Sequence, residues 1–224
     1  MEHNYSTFEA CKEIFKKDGI VLIFSEGRCI NEWKLRPLMK GTARLAISSW
    51  EEGIDLRVLP TGINYQSFTS FGKNIHLKFG SLIHMTDVAR DNGFGRSVGA
   101  FNDLLQQRLE QLVYQIDKEN TGEIRRKFEV PISPFIKSLL AIPAAAGYLL
   151  HFPLAYPAKK MAAKYGGHND HYDSILVGIL FLAYPFYMLA LALVLQQAQV
   201  PYWWTSFLLL PFSAWSYMQV KNQF

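Results

Sequence analysis

The chain has 224 residues and a formal net charge of +4, a surplus too small for a nucleic-acid binder and nowhere gathered into a basic stripe interleaved with aromatics. Its two cysteines, Cys11 and Cys29, have no metal-ligand spacing and exclude a disulfide framework, which fits a reducing compartment. Charge is split along the chain: residues 1–134 hold 18 of the 23 Lys and Arg and 17 of the 19 Asp and Glu, whereas residues 135–224 hold five and two. The first part reads as soluble-type sequence and the second as sequence whose solvent is lipid.

The opening residues, with Glu2, Glu9, Lys12, Glu13, Lys16 and Lys17, do not read as a secretory signal peptide. Ser6 to Asp18 is expected as an amphipathic helix. Ser6 or Thr7 caps it, Glu9 completes a capping box, and Phe8, Cys11, Ile14 and Phe15 share a face. Gly19 ends it. Ile20 to Phe24 is a continuous apolar run, expected as a strand covered on both faces. Ser25-Glu26-Gly27 forms a turn, and residues 40–50 form a helix. Leu56–Pro60 and Gly62–Tyr65 read as a strand interrupted by Pro60. Asn74–Phe79 reads as a half-buried strand with Ile75, Leu77 and Phe79 inward. Residues 99–118 form a second amphipathic helix through Phe101, Leu104, Leu105, Leu109, Leu112, Val113 and Ile116. This alternation gives an α/β class with a largely parallel sheet.

Glu129–Pro134 is the boundary, dividing the chain into domains 1–130 and 131–224. Ile175–Leu195 and Tyr202–Val220 carry no charge and read as an antiparallel hairpin of membrane spans, with Trp203, Trp204, Trp215 and Tyr217 at headgroup level. Phe135–Pro157, with Lys137, Pro143, His151 and Pro153, reads either as a re-entrant segment or as a third span. Lys159, Lys160 and Lys164 precede the hairpin and Lys221 follows it, so the positive-inside rule puts these ends, and the α/β part, in the cytoplasm. A channel or transporter is disfavoured, because neither charge-free span holds an ionisable residue to mark a substrate path.

The most informative stretch runs from Val21 to Ala46. A strand enters the Glu26-Gly27 turn, the basic residues Arg28, Lys34, Arg36 and Lys40 follow, and Gly41 opens a helix. Free N–H groups at a helix start and forked cationic donors make an anion site. A solvated loop whose charges do nothing specific fits equally well.

This stretch resembles the glycerol-3-phosphate and 1-acylglycerol-3-phosphate acyltransferase superfamily. The family's Phe-Pro-Glu-Gly-Thr-Arg motif and its following Lys-Gly-Ala turn correspond to Phe24-Ser-Glu-Gly-Arg-Cys29 and Lys40-Gly-Thr-Ala43. Its Val-Pro-x-Gly-Ile strand corresponds to Val58-Leu-Pro-Thr-Gly-Ile63 with one extra residue, and a later Phe-Gly turn to Phe79-Gly80 with Ile83. The resemblance covers residues 6–118. It implies a partial glycerolipid-acyltransferase-type sheet with flanking helices, followed by C-terminal transmembrane helices.

The resemblance also implies an O-acyltransferase of phospholipid synthesis. An acyl chain would pass from an acyl thioester, acyl-CoA or acyl-carrier protein, to a hydroxyl of glycerol phosphate or lysophosphatidate, with no metal or redox cofactor. Glu26 and Gly27 would shape the acceptor site. Arg28 stands where the family has Thr and Cys29 where it has the phosphate-binding Arg, so Arg28, Arg36 and Lys40 with Gly41 are the candidate substrate-binding set. Asn31-Glu32-Trp33 reads as an insertion. The family's base is a His in His-x-x-x-x-Asp, upstream of the Glu-Gly motif. His3 has no Asp at that spacing, and His168 and Asp173 spell the motif in the wrong order, at a membrane boundary. The catalytic base is therefore unassigned, His76 and His84 read as structural, and the chain reads as the later part of a longer frame. Its partners are expected to be membrane lipids and the acyl donor, with an open sheet edge that invites self-association. The alternative is a membrane-anchored module that binds lipid phosphate without turnover.

Overall fold

The computed structural model describes residues 2–28, 30–88, 93–167 and 171–221, with side chains from Ser6 onward. Two compact units are present, residues 1–64 with 76–119, and residues 65–75 with 120–224.

In the first unit the helices are α1 (Glu2–Phe15), α2 (Gly41–Glu51) and α3 (Phe94–Glu110). Apolar residues at helical spacing, Ala43, Ala46, Ile47 and Trp50 on α2 and Val98, Phe101, Leu105 and Leu109 on α3, form the core with Ile83. Trp50 and Phe101 meet edge to face, 5.6 Å apart at 70°. Lys12 of α1 is buried and pairs with Glu9 at 3.0 Å and with Glu52, at the end of α2. Burial pulls its ammonium down, but the two carboxylates outweigh that and hold it above its ordinary value.

The sheet has two antiparallel strands, β1 (Thr61–Tyr65) and β2 (Ile75–Phe79). The pairing continues past their ends: Val58 and Ile83 exchange backbone bonds of 3.1 and 2.8 Å, and Gly80 donates to the Pro60 carbonyl at 2.9 Å. Pro60 breaks the ladder because it has no N–H to give. The expected parallel sheet is thus corrected. Residues 66–74 turn the chain straight back, with Gln66 donating to the Asn74 carbonyl at 3.0 Å, whereas a parallel pair needs a long crossover, usually helical.

Two further expectations are overturned. Ile20–Phe24 is not a strand, and it is largely uncovered, with Ile20 95% and Phe24 70% exposed. Hydrophobicity alone does not make a strand, and no described strand lies alongside to pair with it. On β2 the inward face is the opposite one: Ile75, Leu77 and Phe79 are exposed, while His76 lies 3.1 Å from the Tyr114 hydroxyl and Lys78 4.3 Å from its ring centroid. The packed partner is the semi-polar 112–116 segment, which selects the polar face of the strand. That segment is not helical, although a helix was expected over 99–118: α3 ends at Glu110. Ile116 is buried there through an antiparallel bridge to Trp33 of the Asn31–Trp33 insertion.

In the second unit α4 (Thr121–Phe128) is capped by Asn120, which accepts from the Glu123 N–H at 3.1 Å. Three long helices follow: α5 (Pro134–Gly166), α6 (Tyr172–Gln197) and α7 (Ser206–Lys221). Contacts run up-down-up. His151 meets Tyr184 and Gly166 meets Tyr172, so α6 is antiparallel to α5. Gly147 meets Ser213 and Tyr148 meets Tyr217, so α7 is parallel to α5. A methyl on Gly147 would lie 2.1 Å from the Ser213 carbonyl oxygen, so only glycine permits this approach.

α5 and α6 are long and apolar enough to cross a membrane. Most of their apolar side chains face outward, Phe181 77% and Phe186 75% exposed, unlike the core helices of a soluble protein. Phe135–Pro157 lies within one continuous 33-residue helix despite Pro143, Pro153 and Pro157. The 65–75 loop belongs to this unit, through a Lys73–Asp173 ion pair and an Asn74 side-chain bond of 3.0 Å to the Phe128 carbonyl.

Candidate functional site

The Glu26-Gly27 turn folds back onto the start of α2. Gly27 donates to the Phe24 carbonyl at 3.2 Å, and the Ser25 carbonyl accepts from the Met39 N–H at 2.8 Å. The Ser25 and Thr42 hydroxyls are 2.9 Å apart. Gly27 has φ +66°, in the left-handed region, and a side chain there would meet Met39 Cγ at 2.9 Å. Local chemistry thus places Glu26 within one turn of Lys40, Gly41 and Thr42.

Glu26 is half-buried, and its carboxylate accepts the backbone N–H of Arg36. Burial pushes its pKa up, and the Glu32 carboxylate adds to that. The Arg36 N–H and charge pull the other way without cancelling the rise. The Arg36 guanidinium pairs with Glu32, so part of its charge is already compensated. Arg28, Lys34 and Lys40 are exposed and make no ion pair among the described residues.

The N-terminus of α2 carries no side-chain cap and no acidic residue in its first turn, and the space around Gly41 is open. Its first N–H groups therefore point, with the positive end of the helix dipole, into a region also bordered by Lys40. An anion fits that place on electrostatic grounds.

The other sequence candidates lie elsewhere. His76 is tied to Tyr114, and His84 caps the 3-10 turn Met85–Asp87, its N–H donating to Asp87 at 2.8 Å. Asp173 sits in the first turn of α6, paired with Lys73; His168 and Cys29 lie outside the described residues. A shallow cleft of about 380 Å³ between Trp50, Asp55 and His84 lies at the far end of α2 and holds none of Glu26, Gly27, Arg28, Arg36, Lys40 and Gly41.

One residue escaped the sequence reading. Asn64 is buried, and its amide donates to the Leu112 carbonyl at 3.0 Å and accepts from the Tyr114 N–H at 2.6 Å. It stitches β1 to the 112–114 segment. Beside it, a side chain on Gly62 would lie 2.7 Å from the Leu112 carbonyl oxygen, which explains the glycine of the Val58–Ile63 motif. A polar residue alternating within a strand is the only signal for Asn64, and it does not separate a buried amide from an exposed one.

Residues 2–64 match the family model described as Acyltransferase. The match spans the Glu26-Gly27 turn, the Lys40-Gly41 helix start and the Val58–Ile63 strand entry, and it supports the resemblance to the glycerolipid acyltransferase superfamily. No curated protein and no solved structure matches the chain.

Proposed function

We propose, for a chain whose residues 2–64 are Acyltransferase-family sequence, that it acts in O-acyl transfer from an acyl thioester to a hydroxyl of glycerol phosphate or lysophosphatidate at a membrane. The family match is the observation that carries this reading. The acceptor phosphate is held at the start of α2 by the first N–H groups, Arg28 and Lys40, with Arg36 exchanging Glu32 for the ligand. Glu26 and Gly27 shape the wall beside it. In the reaction the acceptor oxygen bonds to the thioester carbonyl carbon and the C–S bond breaks. The hydroxyl proton leaves to a base and returns to the departing thiolate. The candidate set contains no such base, so these residues bind and orient rather than move the proton.

Two apolar helices support a membrane setting. The lysines at 159, 160, 164 and 221 support a cytoplasmic orientation of that end. The test is to reconstitute the chain in vesicles with labelled acyl thioester and lysophosphatidate. Transfer is expected, and Glu26→Ala is expected to abolish it. Arg28→Gln with Lys40→Gln should raise KM for lysophosphatidate far more than for a phosphate-free monoacylglycerol. Equal effects on both acceptors would remove the phosphate-site assignment, and absence of transfer by the parent chain would remove the enzyme reading.

A further inference from the structure

The parallel course of α5 and α7 brings the C-terminal ends of both helices to one end of the bundle. Lys159, Lys160 and Lys164 come from α5 and Lys221 from α7. These are four of the five lysines in residues 134–224; the fifth, Lys137, lies at the start of α5, roughly 33 Å from Lys159 at the helical rise. None of the four is ion-paired among the described residues. Asp173, at the same end, is taken by Lys73, and Asp170 lies outside the described residues.

Three of the ammonium groups sit by tyrosine rings: Lys160 at 4.8 Å from Tyr156, Lys164 at 5.4 Å from Tyr165 and Lys221 at 5.7 Å from Tyr217. Amphipathic rings beside lysines, next to outward apolar helix faces, are the composition of a headgroup layer. Lys221 is half-buried, and burial together with the nearby Lys159 charge holds its ammonium below the ordinary value. Like charges carried by two parallel helices thus share one end of the bundle, and an anion there relieves both their repulsion and the desolvation of Lys221.

We propose that this lysine-bearing end of the α5–α7 bundle is a binding site for a phosphate-bearing anion, held between Lys159 and Lys221 with Lys160 and Lys164 at its rim. The outward apolar faces of α5 and α6 make an anionic lipid headgroup the favoured source, with a soluble phosphate ester as the other. The site shares no residue with the start of α2. The lipid assignment rests on the membrane reading of the bundle.

The experiment uses the full chain in nanodiscs of phosphatidylcholine containing a minor fraction of phosphatidylglycerol, with co-purified lipid measured by mass spectrometry. The parent chain is expected to enrich phosphatidylglycerol. Lys159→Gln and Lys221→Gln should each lower the enrichment roughly fivefold, and Lys137→Gln should leave it unchanged. If a Lys159 or Lys221 variant fails to insert, Lys160→Gln with Lys164→Gln is read in the same assay. Inorganic phosphate that displaces the lipid, and that binds the detergent-solubilised chain in a Lys221-dependent way, assigns the site to soluble phosphate. No enrichment by the parent together with no phosphate binding, or lysine-independent values for both, overturns the proposal. Failure of the parent to float with vesicles defeats the membrane reading instead, and phosphate titration of the parent and the Lys221 variant then decides the anion site alone.

Discussion

Glu26 makes a sharp single-residue case. Its carboxyl is raised in the folded chain, chiefly by burial, with Arg36 opposing and Glu32 assisting. A raised folded pKa means that the fold holds the proton more tightly than the unfolded chain does. That contribution is complete below about pH 4.3 and is lost as pH rises through the raised folded value. Glu26→Gln keeps an acceptor for the Arg36 N–H but carries no charge. It should therefore unfold at a higher temperature than the parent at neutral pH, with the gap closing below about pH 4. Thermal scans across that range check the sign, and a parent more stable than the variant at neutral pH contradicts it. The same substitution is not expected to keep transfer, so stability and function part at this position. Asn64 is the opposite case, a buried amide whose value is purely architectural. Asn64→Ala leaves the Leu112 carbonyl and the Tyr114 N–H without their partner. A loss of about 2–3 kcal/mol is expected in denaturant unfolding, and a change under about 0.5 kcal/mol would deny it that role. Glu26 was legible because it stands in a motif. Asn64 was not, since its partners lie 48 and 50 residues away along the chain.

Among the elements, helices were read more faithfully than strands. α2 was expected over 40–50 and runs over Gly41–Glu51, because Ala43, Ala46, Ile47 and Trp50 repeat with a helical period that is a property of the segment itself. Strand burial is a property of the neighbour. β2 alternates as expected, yet the segment packed on it turned its polar face inward, and Ile20–Phe24 is apolar without being paired. Among the long helices, close packing is concentrated where α5 crosses α7. Gly147→Leu must push against the backbone of Ser213, whereas Gly178 on α6 faces open space. Gly147→Leu is expected to cost about 2 kcal/mol or more in mixed-micelle unfolding, and Gly178→Leu close to nothing. Equal effects would mean that α5 and α7 do not meet there.

On the scale of the whole molecule, the chain joins an α2–α3 core, whose α2 lies in the stretch matching the Acyltransferase family model, to a three-helix bundle with outward apolar faces. The bundle is expected to hold the chain in vesicles through an alkaline carbonate wash, with pelleting and immunodetection as the readout. Release into the supernatant would make α5 and α6 something other than spans. The division expected near residue 130 differs from the compact units, which place residues 65–75 with the bundle. Composition marks where charge stops, but it does not show where a loop docks.

What the sequence by itself determined is everything carried by local pattern: the charge split between the two parts, the helical periods, the apolar length of α6, and the Glu26-Gly27 and Lys40-Gly41 motifs that point to acyl transfer. Each depends on residues near one another in the chain, whose preferences need no partner. Tertiary structure alone decided which face of β2 is covered, that the sheet is antiparallel, and that α5 and α7 run parallel and gather their lysines at one end. These outcomes depend on which distant segment comes to lie alongside, and in each case packing and desolvation at that contact set the result.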